Sequence, residues 1–277
     1  MDLNTIREVK RPASPDELMD WPKGHAWLGG GTWLFSEPQL AIDTLVDLEA
    51  LGWRSLEASP EGLDIATTCR IAELEHFTAP PEWIAAPLLR ESSHALLMSF
   101  KIAHEATVGG NICMSLPAGA MITLTVALEA VYTLLPRDGP ARKVKAIDFV
   151  IGDHANVLAP GELLRAIHIP ASALSKRFAF RRASLTRFGR SAAFLVGTCH
   201  DKAEDFRLTI TAATPRPVQL HFEHPPSAEA LRRTIDDCIP HGGYFNDVHG
   251  TPDYKRHLTY HFAEQIRSEL AALGARP

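Results

Sequence analysis

Two glycine stretches constrain this chain more than anything else in it. They are Leu28-Gly29-Gly30-Gly31-Thr32-Trp33-Leu34 and Ala106-Thr107-Val108-Gly109-Gly110-Asn111-Ile112. Consecutive glycines let a backbone take positive φ and bring several N–H groups towards one anion with no Cβ in the way. A nearby Thr hydroxyl or Asn amide adds a further donor. Either stretch alone also reads as a tight turn. Two in one chain suggest the two sides of one pyrophosphate, as a dinucleotide would require. Neither is a Rossmann fingerprint, since G-x-G-x-x-G is absent, and the P-loop pattern fails for want of its lysine.

With 277 residues there is ample chain for a buried core in one large domain or two to three small ones. A net charge of −5 leaves no excess of Lys and Arg to neutralise phosphates along a polymer, so nucleic-acid binding is not expected. Cys69, Cys113, Cys199 and Cys238 lie far apart and form no C-x-x-C pair, which gives neither iron–sulfur nor zinc spacing. The opening Met1-Asp2-Leu3-Asn4 lacks a basic region followed by an apolar one, and the cytoplasm is the expected compartment. Leu116 to Leu135 is nearly free of charge and long enough to span a bilayer, but Glu129 and three threonines interrupt it. A buried helix is expected there, with no membrane span.

Along the chain, Ser14-Pro15-Asp16-Glu17 has the composition of a helix start, predicting a short helix over Ser14 to Trp21. Ala26 to Leu28 reads as a strand running into the first glycine stretch, and Leu45 to Leu48 as another. Leu63 to Thr67 alternates as a strand, and Thr68 is the expected cap of a helix over Arg70 to Phe77. A further helix is predicted over Ala86 to Ser99, a turn at Pro136 to Pro140, and strands at Val144 to Phe149 and Arg165 to Ile169. Beyond Pro170 to Lys176 the pattern turns to antiparallel strands, at Phe178 to Ala183, Ala192 to Cys199 and Arg207 to Ala213. Helices over Ser227 to Cys238 and Pro252 to Leu273 close the chain.

In these residues the chain resembles the FAD-binding subunit of the molybdenum hydroxylases, the flavoprotein type of xanthine and carbon monoxide dehydrogenases. The first stretch is similar to the family's A-G-G-T-D-L and the second to its A-T-I-G-G-N. Pro160-Gly161-Glu162-Leu163-Leu164 with Ile167-His168-Ile169-Pro170 is similar to P-G-E-x-L…I-x-I-P, and Tyr254-Lys255-Arg256-His257-Leu258 to Y-R/K-R-x-L. The resemblance implies an α+β chain of the vanillyl-alcohol-oxidase (PCMH) type. Two FAD-binding subdomains, residues 1–55 and 56–172, would be followed by a C-terminal domain, residues 173–277, with a three-stranded antiparallel sheet.

The implied function is electron transfer. Molybdopterin sits on a large partner subunit and two [2Fe–2S] clusters on a small one, and FAD on this chain passes electrons to NAD⁺, oxygen or another acceptor. The implied cofactor residues are Leu28, Gly29, Gly30, Gly31, Thr32, Trp33 and Leu34 with Thr107, Gly109, Gly110 and Asn111 around the pyrophosphate and ribityl chain. Leu97 would lie near the adenine, Leu164 against the isoalloxazine and Arg181 near the flavin edge, where a cation stabilises the reduced ring. No catalytic or metal residue is implied. The sequence departs from the family at Trp33, where an acid is usual, at Ala103-His104 in place of Arg-Asn, and at Ala120, where an Asp is usual.

Ala120 keeps an alternative open, a non-catalytic scaffold of the same fold with weak or lost FAD binding. A stand-alone flavin oxidase would need a substrate domain for which the chain is too short. His257 and His261 are spaced to share a helix face, but no third ligand or H-E-x-x-H glutamate accompanies them. Cys113, beside the second stretch, reads as a buried thiol. The basic cluster Arg181, Arg182, Arg187 and Arg190 is readable as a phosphate or partner site, or equally as a solvated surface.

Overall fold

The computed structural model describes residues 4–14, 17, 21–187 and 189–274. Most of the helix expected over Ser14 to Trp21 falls outside them. Strands β1 (Glu8–Lys10), β2 (His25–Leu28) and β3 (Thr44–Asp47) form a small parallel sheet with β3 in the middle. Leu45 and Val46 are buried. Because β2 stops at Leu28, the first glycine stretch begins at a sheet end, where ligand loops belong.

The next segment carries β4 (Leu56–Ser59), β5 (Gly62–Ala66), α1 (Ile71–Glu75), α2 (Pro87–Ala95), α3 (Phe100–Ala103), α4 (Val108–Cys113) and α5 (Ala120–Ala127). It continues with β6 (Val131–Leu135), β7 (Arg142–Lys145), α6 (Ala146–Phe149), the hairpin β8 (Val150–Gly152) and β9 (Ala155–Asn156), β10 (Leu163–Pro170) and α7 (Ala171–Leu174). An antiparallel sheet of order β4-β5-β10-β6-β7 packs against the helices around a core that includes Leu63, Ile65, Leu88, Ile112, Leu124, Tyr132 and Phe149. The last segment holds β11 (Arg177–Ala183), β12 (Ala193–Cys199), β13 (Phe206–Thr211), β14 (Val218–Phe222), α8 (Ala228–Cys238) and α9 (Pro252–Gly274). Among the described residues no helix is long and apolar enough to cross a membrane.

Several expectations need correction. The sheet of the last segment has four strands in the order β11-β12-β13-β14, not three. Val218, Leu220 and Phe222 alternate along its edge, and Leu220 is buried while His221 faces out. The apolar run from Leu116 is not one helix. It holds α5, turns at Glu129 with φ +54°, and continues as β6, where Val131 and Thr133 favour a strand. Thr125 Oγ1 bonds the Tyr132 hydroxyl at 2.6 Å across that turn, so an inward-facing Thr is satisfied in the core.

The helix expected over Ala86 to Ser99 ends at Ala95, because Leu97 takes φ +50° and Ser99 caps α3 by accepting from the Ile102 N–H. Helix α1 is capped at Arg70 rather than Thr68, with Glu73 Oε2 accepting the Arg70 N–H at 2.9 Å. Residues Val144 to Phe149 split into the end of β7 and α6.

Two of the four motifs are structural anchors. The Glu162 carboxylate, 2% exposed, accepts Arg142 Nε at 2.6 Å and Nη2 at 2.7 Å, while its carbonyl accepts the Trp27 indole N–H at 3.2 Å. The hydrogen bond from Arg142 holds its carboxyl below the usual range. Lys255 is fully buried, donates to Asp247 at 2.9 Å and lies 5.1 Å from the Phe245 ring, fastening the preceding loop to α9.

The last segment is joined tightly to the rest. Thr123 and Thr211 share a hydroxyl bond of 2.7 Å, Ala212 N–H donates to the Pro117 carbonyl at 2.8 Å, and Gln219 Nε2 to the Val126 carbonyl at 2.9 Å. The buried Lys176 ammonium pairs with Glu129 and Asp205, one from each side of the joint. Removing both carboxylates would leave the buried Lys176 ammonium unpaired, at a cost of about 3–5 kcal/mol.

Candidate cofactor site

The two glycine stretches meet. Gly29 sits so close to Thr107 that a Cβ would lie 2.9 Å from its Oγ1, and a Cβ on Gly30 would lie 1.6 Å from the Glu105 carbonyl oxygen. Arg70 locks the junction by donating to that same carbonyl, and Ile71 N–H donates to the Ala106 carbonyl at 2.9 Å. Gly31 has φ +70°, and a Cβ there would meet the Phe35 ring at 2.5 Å.

Their backbones are arranged differently. From Gly29 to Leu34 the N–H groups find no acceptor among the described residues. The second stretch is not a loop of free donors, because Val108 to Cys113 is α4. Val108 N–H donates to Cys69, Gly109 N–H to Thr67, Gly110 N–H to Thr107 Oγ1 at 3.0 Å and Asn111 N–H to the Thr107 carbonyl. The backbone role expected of Gly109 and Gly110 towards a pyrophosphate is therefore corrected. A Cβ on Gly109 would lie 1.7 Å from Thr67 Oγ1, so its task is close packing.

Asn111 keeps a free donor. Its Oδ1 accepts the Met121 N–H at 3.1 Å, an N–H that can only donate, which fixes the amide orientation and leaves Nδ2 without a partner among the described residues. The same bond serves the start of α5, where Ala120 is 1% exposed in the place of the family's acid.

Beside the stretches lies a cavity of about 410 Å³. It gathers Gly31, Thr32, Trp33, Leu34, Thr107, Gly110 and Asn111 of the expected residues. Trp27, Ile71, Leu96, Met98, Ile102, Met114, Leu116 and Gly119, which the sequence did not single out, complete it on largely apolar walls, with Arg190 of the basic cluster and Ser191 just ahead of β12. Trp33, standing where an acid was expected, presents a ring whose centroid is 6.0 Å from that of His154. Asn156 Nδ2 braces the opposite corner through the Cys113 carbonyl and Ser115 Oγ, each at 3.0 Å.

Other expected residues lie elsewhere. Leu28 ends β2, Gly30 packs on Glu105, and Gly29 with Thr107 borders a second cavity of about 160 Å³. Leu97 is not among the lining residues, although its neighbours Leu96 and Met98 are. Leu164 is a core residue, 1% exposed. Arg181 is committed to α9, with Nε to Gln265 at 2.8 Å and Nη2 to Glu269 at 2.7 Å. Leu97, Leu164 and Arg181 are thus not brought to the cavity. Cys113 is, and burial pushes its thiol up to about 12, which keeps it protonated and inert at neutral pH.

Open N–H groups, a free amide donor, an arginine and apolar walls with no carboxylate among the described lining residues fit a ligand with phosphates and a flat ring. Residues binding a metal are a different matter: among the described residues no three His, Cys, Asp or Glu side chains come together.

Comparison with known proteins gives the family and the fold. Residues 5–172 match the family described as the FAD binding domain in molybdopterin dehydrogenase. The chain is 32% identical over 140 residues to the carbon monoxide dehydrogenase medium chain of Afipia carboxidovorans, a match spanning 50% of this chain and 47% of that relative. It is 23% identical over 262 residues to the medium chain of Hydrogenophaga pseudoflava, covering 91% and 88%. Among solved structures, quinoline 2-oxidoreductase from Pseudomonas putida 86 superposes with a TM-score of 0.78 at 18% identity, covering 97% of this chain and 98% of that one.

Proposed function

The chain belongs to the family of FAD-binding domains in molybdopterin dehydrogenases, as an oxidoreductase component, and we propose that it is the electron-transfer subunit of a multi-subunit molybdenum hydroxylase. In this reading a small partner carries [2Fe–2S] clusters, a large partner carries the molybdenum cofactor, and electrons leave through this chain to NAD⁺ or another acceptor. When bound, FAD supplies reversible two-electron redox chemistry.

The observation that supports the reading is that the unpaired N–H groups of Gly31 to Leu34 border one cavity with the Asn111 Nδ2 donor. Those donors would bind the pyrophosphate, each charge-assisted bond being worth about 1.5–3 kcal/mol. Trp33, Leu34, Leu96, Met98 and Leu116 would hold a flat ring and exclude water from it. Ala120 removes the cofactor contact that the resemblance gives to an acid there, while Asn111 Oδ1 accepts the Met121 N–H at the start of α5.

The test is a visible absorption spectrum of the purified chain with chromatography of what heat releases. The expected result is flavin bands and close to one FAD per chain. A folded chain that stays colourless in excess FAD, alone and with its partner subunits, would sink the reading and favour a scaffold.

A further inference from the structure

Of the four arginines clustered in sequence after Phe180, only one lines the cavity, and the fold spends another on holding it there. Arg182 Nε donates to Ser191 Oγ at 2.7 Å and its Nη2 to the Gly189 carbonyl at 2.8 Å. The two residues flanking Arg190 are thereby tied to β11, Gly189 through its backbone and Ser191 through its hydroxyl. Ser191 is 3% exposed, so this end of the turn is seated in the protein. Arg190 itself is exposed, has no hydrogen-bond or ion-pair partner among the described residues, and borders the cavity that Gly31, Thr32, Thr107 and Asn111 also line. No carboxylate stands among the described lining residues to neutralise it. An uncompensated guanidinium facing a donor-rich, acid-free cavity is suited to an anion.

We propose that Arg190 is an anion-recognition residue of the cofactor cavity, bringing a positive charge from the C-terminal segment to the dinucleotide, and that Arg182 is its positioning residue. The proposal rests on the reading of the cavity as an FAD site. The negative charge in question is carried by the pyrophosphate or by the reduced ring. Arg181, expected in this role, is withdrawn from it by Gln265 and Glu269.

The experiment is a set of titrations on the full-length chain freed of flavin, with FAD and with ADP as probes, over a range of salt concentrations. Arg190→Gln is expected to weaken FAD binding about tenfold and to flatten its salt dependence, and Arg190→Lys to recover part of both. An equal loss for ADP assigns the charge to the phosphates. Unchanged ADP binding with a lower flavin midpoint potential assigns it to the reduced ring, and either result supports the proposal. Arg182→Gln, with Ser191→Ala as the milder variant, is expected to weaken FAD binding in the same direction while the Arg190 side chain remains. If Arg190→Gln matches the parent chain in FAD affinity, ADP affinity, salt slope and potential, the role of Arg190 is overturned while FAD binding stands. If Arg182→Gln and Ser191→Ala both leave affinity unchanged, the positioning role falls. A parent chain that binds neither FAD nor ADP overturns the functional reading and this inference together.

Discussion

The two glycine stretches look alike in sequence and are opposites in structure. The first leaves its N–H groups from Gly29 to Leu34 open, because Gly31 at φ +70° turns the chain before any helix can use them. The second enters α4 at Val108, and its donors are used by Thr67, Cys69 and Thr107. Glycine has two separable uses, freeing donors and allowing close approach, and a run of glycines does not say which applies. The neighbours decide. Thr107 is an N-cap whose hydroxyl takes an N–H for itself, whereas nothing before Gly31 does so.

Substitutions can break or sharpen this contrast. Gly109→Ala is expected to be the most damaging, by about 3 kcal/mol in urea denaturation, since the new methyl collides with Thr67 in a buried site. Its neighbour Gly110→Ala, whose Cβ would meet only Thr107 Oγ1 at 2.8 Å, should cost no more than about 1 kcal/mol. Equal effects at the two positions would remove the packing explanation.

Asn111→Asp comes next. The carboxylate keeps the acceptor for Met121 but turns the free donor into a negative oxygen, so FAD affinity should fall about a hundredfold with stability nearly unchanged. Asn111→Ala should reverse that balance, with a smaller loss of affinity and a larger loss of stability. Gly31→Ala forces a Cβ into left-handed backbone against Phe35 and should cost about 1–2 kcal/mol together with FAD affinity. The smallest effect concerns Cys113. At pH 8 an alkylating reagent should label exposed Cys238 well before it, because burial suppresses the Cys113 thiolate. Fast labelling of Cys113 would show that the wall of the second stretch opens in solution.

Much of the fold was legible in the sequence. Strands β2, β5, β11, β12 and β13 and helices α8 and α9 follow from alternation, caps and amphipathic spacing. What was missed turns on tertiary context. The apolar run after Leu116 carries no periodic signal that separates a buried helix from a buried strand, so the break at Glu129 was invisible. Leu97 and Leu164 were assigned by resemblance, and a shift of one residue sends a side chain to another face. Half of the site was readable as motif. The remainder comes from distant segments: Arg190 was readable as one of a basic cluster, but no local pattern says that it is the one to border the cavity.

Strand β12 carries a wider consequence. All seven of its residues are buried, with Phe194 and Val196 in the core shared with α5 and Ala193, Leu195 and Cys199 in the core under α9. A recombination crossover between residues 172 and 173 would therefore carry the core under α9 across whole but cut the core shared with α5 in two. Homologous C-terminal segments should transplant between relatives only when the matching face of α5, from Thr123 to Val126, travels with them. Evolution along this chain is thus expected to show paired changes across that joint, and a chimera series with and without the α5 face, scored by soluble yield, would reveal whether the two pieces are inherited as one.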